Sequence, residues 1–105
     1  MVKGLVASLD VVAILEGDKR VDITATIRPP HQAEGGQWVA SVLIKPLQDK
    51  PMEVRGVDSF HAIWLACALV LKLLAELKER GARLENADGS AFPLDAYLAG
   101  LDGQR

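Results

Sequence analysis

The stretch GVDSFHAIWLACALVLKLLAELKERG, from Gly56 to Gly81, decides the architecture of this chain. Asp58 and Ser59 are residue types that cap a helix, because their side-chain oxygen accepts a hydrogen bond from an unpaired amide of the first turn. Gly81 is typical of the position just past a helix C-terminus. The stretch therefore predicts one long helix over residues 58–80.

One side of this helix is predicted to face the core. Its members recur three or four residues apart, which places them on one face: Phe60, Ile63, Cys67, Val70, Leu74 and Leu77. The rest of the first half is apolar as well, and a helix that is apolar nearly all round is covered on more than one side. We expect the second cover to be either the C-terminal segment or another copy of the chain, with four candidate interaction residues: Trp64, Ala68, Leu71 and His61.

The residues before the helix have the alternating pattern of β-strands. The clearest case is the segment from Val21 to Ile27, in which apolar and polar residues alternate as in a half-buried antiparallel strand. Pro29-Pro30 ends this strand, and the segment through Gly35-Gly36 is predicted to be a loop. Four strands are predicted in all, over residues 5–15, 20–28, 37–45 and 52–55, with the fourth at an edge of the sheet.

The residues after Gly81 are too few for a second domain, so residues 1–105 are predicted to form one domain. Arg83 to Glu85 resembles a short strand, residues 86–90 a turn, and Pro93 suits the first turn of a short helix over residues 93–101. The predicted fold class is α+β: a three- to four-stranded antiparallel meander, one long helix packed on one face, and a short C-terminal hairpin and helix.

The composition is that of an ordinary soluble domain. Half of the 105 residues are apolar, a quarter are charged and the formal net charge is −2, which gives no field that attracts nucleic acid or an anionic membrane. The longest uncharged apolar run, residues 62–71, is about half the length of a membrane-spanning helix. One cysteine cannot form an internal disulfide. We expect a cytoplasmic protein with no nucleic-acid partner, no membrane partner and no cofactor.

No set of side chains predicts catalysis or metal binding. Ser59 and His61 are two positions apart on the helix and so point about 200° apart, which prevents a direct nucleophile–base pair. Cys67 has alanines on both sides and no basic neighbour that would favour a thiolate. The two histidines and the cysteine lack the spacing of metal ligands. We therefore assign no catalytic residue and no metal ligand.

The segment Gly56-Val57-Asp58-Ser59-Phe60 resembles the phosphopantetheine attachment site of acyl and peptidyl carrier proteins. There a G-x-D-S-[LI] run opens a helix, and the serine carries the prosthetic arm. The resemblance implies that Ser59 is the modified residue. Carrier proteins are helical bundles with an acidic recognition helix, whereas this chain has strands before the motif and no carboxylate between residues 60 and 71.

A second resemblance covers most of the chain. Strands, a G-x-D-S-[FL]-x-A head on a long apolar helix, and an L-x-N-x-D-G-x-x-F tail are similar to a family of small uncharacterised bacterial proteins. The matching residues are Gly56, Asp58, Ser59, Phe60, Ala62, Leu84, Asn86, Asp88, Gly89 and Phe92. The resemblance implies the fold and carries no activity.

These observations favour a non-enzymatic binding or interaction protein that self-associates, as a dimer, through the helix around Trp64 or through an open sheet edge. An unidentified protein partner is a further expectation. Two alternatives stay open. One is a carrier-like protein modified at Ser59, and the other is a small ligand-binding protein or enzyme that uses the cleft between helix and sheet.

Overall fold

The computed structural model describes residues 4–102, with side chains described as far as residue 99. The strands are β1 (Ala7–Ile14), β2 (Arg20–Ile27), β3 (His31–Gln32), β4 (Trp38–Lys45), β5 (Met52–Gly56) and β6 (Arg83–Glu85). The helices are α1 (Ser59–Glu79) and α2 (Leu94–Asp102). A single 3-10 turn, Glu16–Asp18, joins β1 to β2.

All pairs of strands are antiparallel and form one sheet. β4 pairs along one edge with β2 and then with β3, and along its other edge with β5. β1 pairs with β2 and, through its last three residues, with β6. α1 packs on one face of the sheet, and α2 follows near the end of the chain. The α+β class predicted from the sequence is therefore confirmed.

The residues of α1 that face the sheet match the prediction at Val70 and Leu74 and differ from it in the first half of the helix. The buried stripe is Ala62, Ala66, Val70 and Leu74, which recur four residues apart. Ala62, assigned to the outer side by the sequence pattern, is fully buried, and Phe60, assigned to the core, is 78% exposed. The physical reason is distance, because alanines allow the helix backbone to approach the sheet more closely than a large side chain would.

The core lies between α1 and the adjacent sheet face. Its largest members on the strands are Ile23, Val42 and Ile44, which share that face with Trp38 and Val54. On the β1 side the core is completed by Leu84, Phe92 and Leu94 from the C-terminal segment. Trp38 therefore points towards the core.

The predicted strands and helices are present, with ends within two residues of those expected. One strand was missed, since His31 and Gln32 pair with Val39 and Trp38 inside the segment predicted to be a loop. The short strand from Arg83 to Glu85 is present as predicted, and the described sheet has six strands rather than three or four.

Candidate interaction site on the long helix

The N-terminus of α1 is held by two reciprocal hydrogen bonds. The amide of His61 donates to Asp58 Oδ1 at 2.7 Å, so Asp58 is the N-cap and Ser59 is the first helical residue. The amide of Val57 donates to His61 Nδ1 at 3.1 Å. This arrangement resembles a capping box in which histidine replaces the usual acidic residue. His61, a predicted interaction residue, thus has a role in forming the helix N-terminus.

The same geometry bears on whether Ser59 and His61 could form a nucleophile–base pair. The lone pair of His61 Nδ1 is occupied by the Val57 amide. Within the described residues no hydrogen bond joins the Ser59 hydroxyl to His61. The geometry therefore does not assemble a serine nucleophile with a histidine base at this helix start.

Gly56, the last residue of β5, lies against the backbone of α1. A Cβ atom built on Gly56 would lie 2.6 Å from the backbone nitrogen of Ala62 and 2.9 Å from the carbonyl carbon of His61. Only glycine fits this approach, because the neighbouring atoms belong to the helix backbone. Three residues of the G-x-D-S-F-x-A motif, Gly56, Asp58 and Ala62, thus have structural roles. Phe60 has no comparable role.

Three apolar side chains are exposed at this end of the helix. Val57 is 79% exposed, Phe60 78% and Trp64 46%. Phe60 and Trp64 are four residues apart and so lie one above the other on one face of α1. We call Val57, Phe60 and Trp64 the aromatic patch.

The other predicted interaction residues are less exposed than Trp64. Ala68 is half-buried. Leu71 is half-buried, packs against the core and lines a cavity together with Tyr97 of α2. α2 therefore covers the side of α1 that carries Leu71. Among the described residues no element covers Phe60.

The cavity beside Leu71 is lined mainly by apolar side chains. Its volume is about 210 Å³, and it lies between β1, β2, α1 and α2. Cys67 is in its wall, where burial raises the pKa of the thiol and so favours its neutral form. A neutral thiol is a poor nucleophile and a poor metal ligand.

The second cavity, about 340 Å³, lies below the C-terminal hairpin near Lys78 and Arg83. The charge of Arg83 is shared with Asp18 at 3.8 Å and Glu85 at 3.6 Å. Among the described residues there is no group of three histidine, cysteine or acidic side chains that could hold a metal ion.

The sheet face opposite α1 carries several basic residues. Arg20 pairs with Asp22 at 2.9 Å, and Arg55 pairs with Glu53 at 3.5 Å. These pairs reduce the positive potential of that face. The described aromatic rings are on other surfaces, so the face lacks the stacking platforms that single-stranded RNA uses.

α1 is also long enough and apolar enough, by length and composition alone, to cross a membrane. The uncharged apolar run, residues 62–71, is shorter than α1, so this run alone underestimates the apolar length of the helix. In the structure the buried stripe of α1 packs on the sheet. Core helices of soluble proteins have the same length and composition, so the finding assigns no location.

The fold and the site define an α+β domain whose long helix presents exposed aromatic side chains at its N-terminal end. Comparisons with family models, with curated proteins and with solved structures gave no match to this chain.

Proposed function

We propose that this chain is a non-enzymatic interaction protein that self-associates through the aromatic patch on α1. The observation that carries the proposal is the exposure of Phe60 and Trp64 on one helix face. Single exposed apolar residues are ordinary, whereas adjacent exposed aromatic side chains are typical of interaction sites. Trp and Tyr are also the residue types most enriched among those that dominate binding energy.

The size of the patch indicates how large a share of an interface it can supply. An aromatic side chain buries about 150–250 Å², so Phe60 and Trp64 have about 260 Å² still exposed per chain. Two copies would bury about 520 Å² through these side chains, whereas a stable protein–protein interface buries about 1,200–2,000 Å². We therefore place the patch at the centre of a larger interface that includes its half-buried neighbours.

The test is sedimentation velocity over a concentration range that extends to about 100 µM, on the wild type and on Trp64→Glu. We expect the wild type to dimerise and Trp64→Glu to be a soluble, folded monomer, because a buried, unpaired carboxylate is costly at an interface. Ala87→Glu is the matched control. It adds the same charge at an exposed turn of the C-terminal hairpin, and it should dimerise as the wild type does.

A wild type that stays monomeric throughout this range contradicts the proposal. So does a Trp64→Glu variant that dimerises as strongly as the control. Native mass spectrometry of the purified wild type separates the carrier-like alternative, which requires a covalent mass increase on Ser59. It also separates the ligand-binding alternative, which requires a retained small molecule.

A further inference from the structure

A free strand edge lies on the side of the molecule away from β5. β1 pairs with β2 from Ala7 to Ile14, but it pairs with β6 only from Val12 to Ile14. In the part of the chain that the structure describes, residues 7–11 therefore have an outer edge without a strand partner. An unpaired edge is a template on which another extended chain can add.

The hydrogen-bond pattern shows which backbone groups point to this edge. Leu15 N–H donates to the Lys19 carbonyl, and Arg28 N–H donates to the Ser41 carbonyl. Together with the strand register, these bonds direct odd-numbered residues of β1 towards β2 and even-numbered residues outward. The amides and carbonyls of Ser8 and Asp10 thus face the free edge.

The 210 Å³ cavity lies beside the same edge. Leu9, Ala25 and Ile27 line it from the sheet, and Leu71 and Tyr97 line it from the helices. In an added strand every second side chain would point to this side of the sheet. Pockets for small molecules usually measure about 300–1,000 Å³. A cavity of this size and apolar character fits one or two apolar side chains better.

On the opposite face, the same edge carries an acidic group without a cation. Asp10 Oδ1 accepts a hydrogen bond from the Thr24 hydroxyl at 2.9 Å. No basic side chain of the described residues is within ion-pair distance of Asp10, whereas the nearby Asp22 is paired with Arg20. A residue added opposite Asp10 on the free edge would have its Cβ about 5 Å away, and opposite charges at such positions attract.

We propose that the free edge of β1 binds an extended peptide segment of another protein. The segment alternates apolar side chains, which enter the cavity, with polar ones that include a Lys or Arg opposite Asp10. A second copy of β1 is a poorer occupant, because its outward-face residues at the free edge are Ser8 and Asp10, and neither is positively charged. The site is separate from the aromatic patch and does not depend on self-association.

The test uses a phage-displayed library of random seven-residue peptides, selected on the wild type and on Asp10→Lys. We expect wild-type selection to enrich peptides in which apolar and polar residues alternate, with Lys or Arg at one polar position. Selection on Asp10→Lys should enrich Asp or Glu at that position. A Lys-bearing peptide from the first selection should bind Asp10→Lys about tenfold more weakly, since an attraction becomes a repulsion.

Asp22→Lys is the matched control, because it makes the same charge change on the same sheet face but one strand further from the edge. It should leave the preference for Lys or Arg unchanged. Ser8→Pro removes an outward amide and should abolish binding of the enriched peptides, with circular dichroism used to verify its fold.

The proposal is overturned if no alternating peptide is enriched, or if Asp10→Lys keeps the wild-type preference. It is also overturned if a second copy or a retained small molecule occupies the edge. If Ser8→Pro abolishes a dimer that Trp64→Glu leaves intact, a second copy of the chain occupies the edge. Loss of dimerisation in Trp64→Glu with peptide binding retained would support the edge site on its own.

Discussion

Gly56→Ala should destabilise this protein through a single added methyl group. That methyl would lie 2.6 Å from the backbone nitrogen of Ala62 and 2.9 Å from the carbonyl carbon of His61. Real Cβ contacts essentially never occur at such distances, so β5 and the first turn of α1 would have to separate. The separation would disturb the packing of Ala62 and Ala66, which are fully buried where α1 meets the sheet.

The expected cost follows from the rigidity of the colliding atoms. Overpacking a well-packed core costs about 1–3 kcal/mol when side chains can adjust. Here the neighbours are backbone atoms of a helix, so we place the loss of unfolding free energy at about 3 kcal/mol or more. For a domain of this size, 3 kcal/mol lowers Tm by about 12–20 °C. Such a loss is a large part of the roughly 5–15 kcal/mol that stabilises a typical domain.

The assay is thermal and urea unfolding followed by circular dichroism at 222 nm. Gly17→Ala is the control, because Gly17 has a φ of +76° and nothing within 4 Å of the added methyl. It should lose only the roughly 1–2 kcal/mol of a left-handed residue. Ala62→Gly should not rescue Gly56→Ala, because the collision is with backbone atoms. If Gly56→Ala is no less stable than Gly17→Ala, the close approach of β5 and α1 is refuted.

Three further predictions test other parts of the structure. Asp58→Ala should lower the free energy of unfolding by about 1 kcal/mol in urea, through loss of the N-cap. Ala66→Leu should lower the free energy of unfolding by about 2 kcal/mol or more, because Ala66 is in the buried stripe. Ala68→Leu, at a half-buried position, should lower it far less. Equal losses in the two variants would contradict the observed core face. Hydrogen bonds from Ser90 hold the pKa of Asp88 below its ordinary value of 3.8. The ionised Asp88 therefore stabilises the folded state above pH 3.8, and this contribution is lost as the pH falls through the lower folded-state pKa. Ser90→Ala should return the Asp88 pKa towards 3.8 in a carboxylate NMR titration.

Much of the fold follows from local patterns in the sequence. The alternation from Val21 to Ile27 predicts β2, and the capping and stop signals at Asp58 and Gly81 predict α1 to within one residue at each end. Each of these signals lies within the segment whose structure it predicts, so no knowledge of tertiary contacts is needed. The missed strand His31–Gln32 has no such pattern, because only its pairing with β4 makes it a strand.

Apolar periodicity predicts Val70 and Leu74 of the core face of α1, but not the first half of that face. Phe60 fits the periodic pattern, yet it is exposed, while Ala62 and Ala66 form the contact with the sheet. Periodicity ranks residues by hydrophobicity, whereas the closest helix–sheet approach selects them by size. Gly56 followed by Ala62 and Ala66 was the available signal, because small residues four apart permit close backbone contact. Trp64, a predicted interaction residue, is partly exposed, and its companion on the surface, Phe60, was assigned to the core.

The pairing of β1 with β6 has a consequence for how the chain folds. β1 and β2 are joined by a short turn and can pair as soon as both are made, but Leu84 of β6 pairs with Ala13 from roughly seventy positions later in the chain. At synthesis rates of about 5–20 residues per second, β1 waits about 4–14 s for its second neighbour. During that interval its whole outer edge is open, including residues 12–14, which β6 later covers. The connectivity of the sheet therefore imposes a period of several seconds in which the outer edge of β1 in the nascent chain can pair with other strands. A circular permutant in which the C-terminal hairpin is synthesised before β1 would shorten this period.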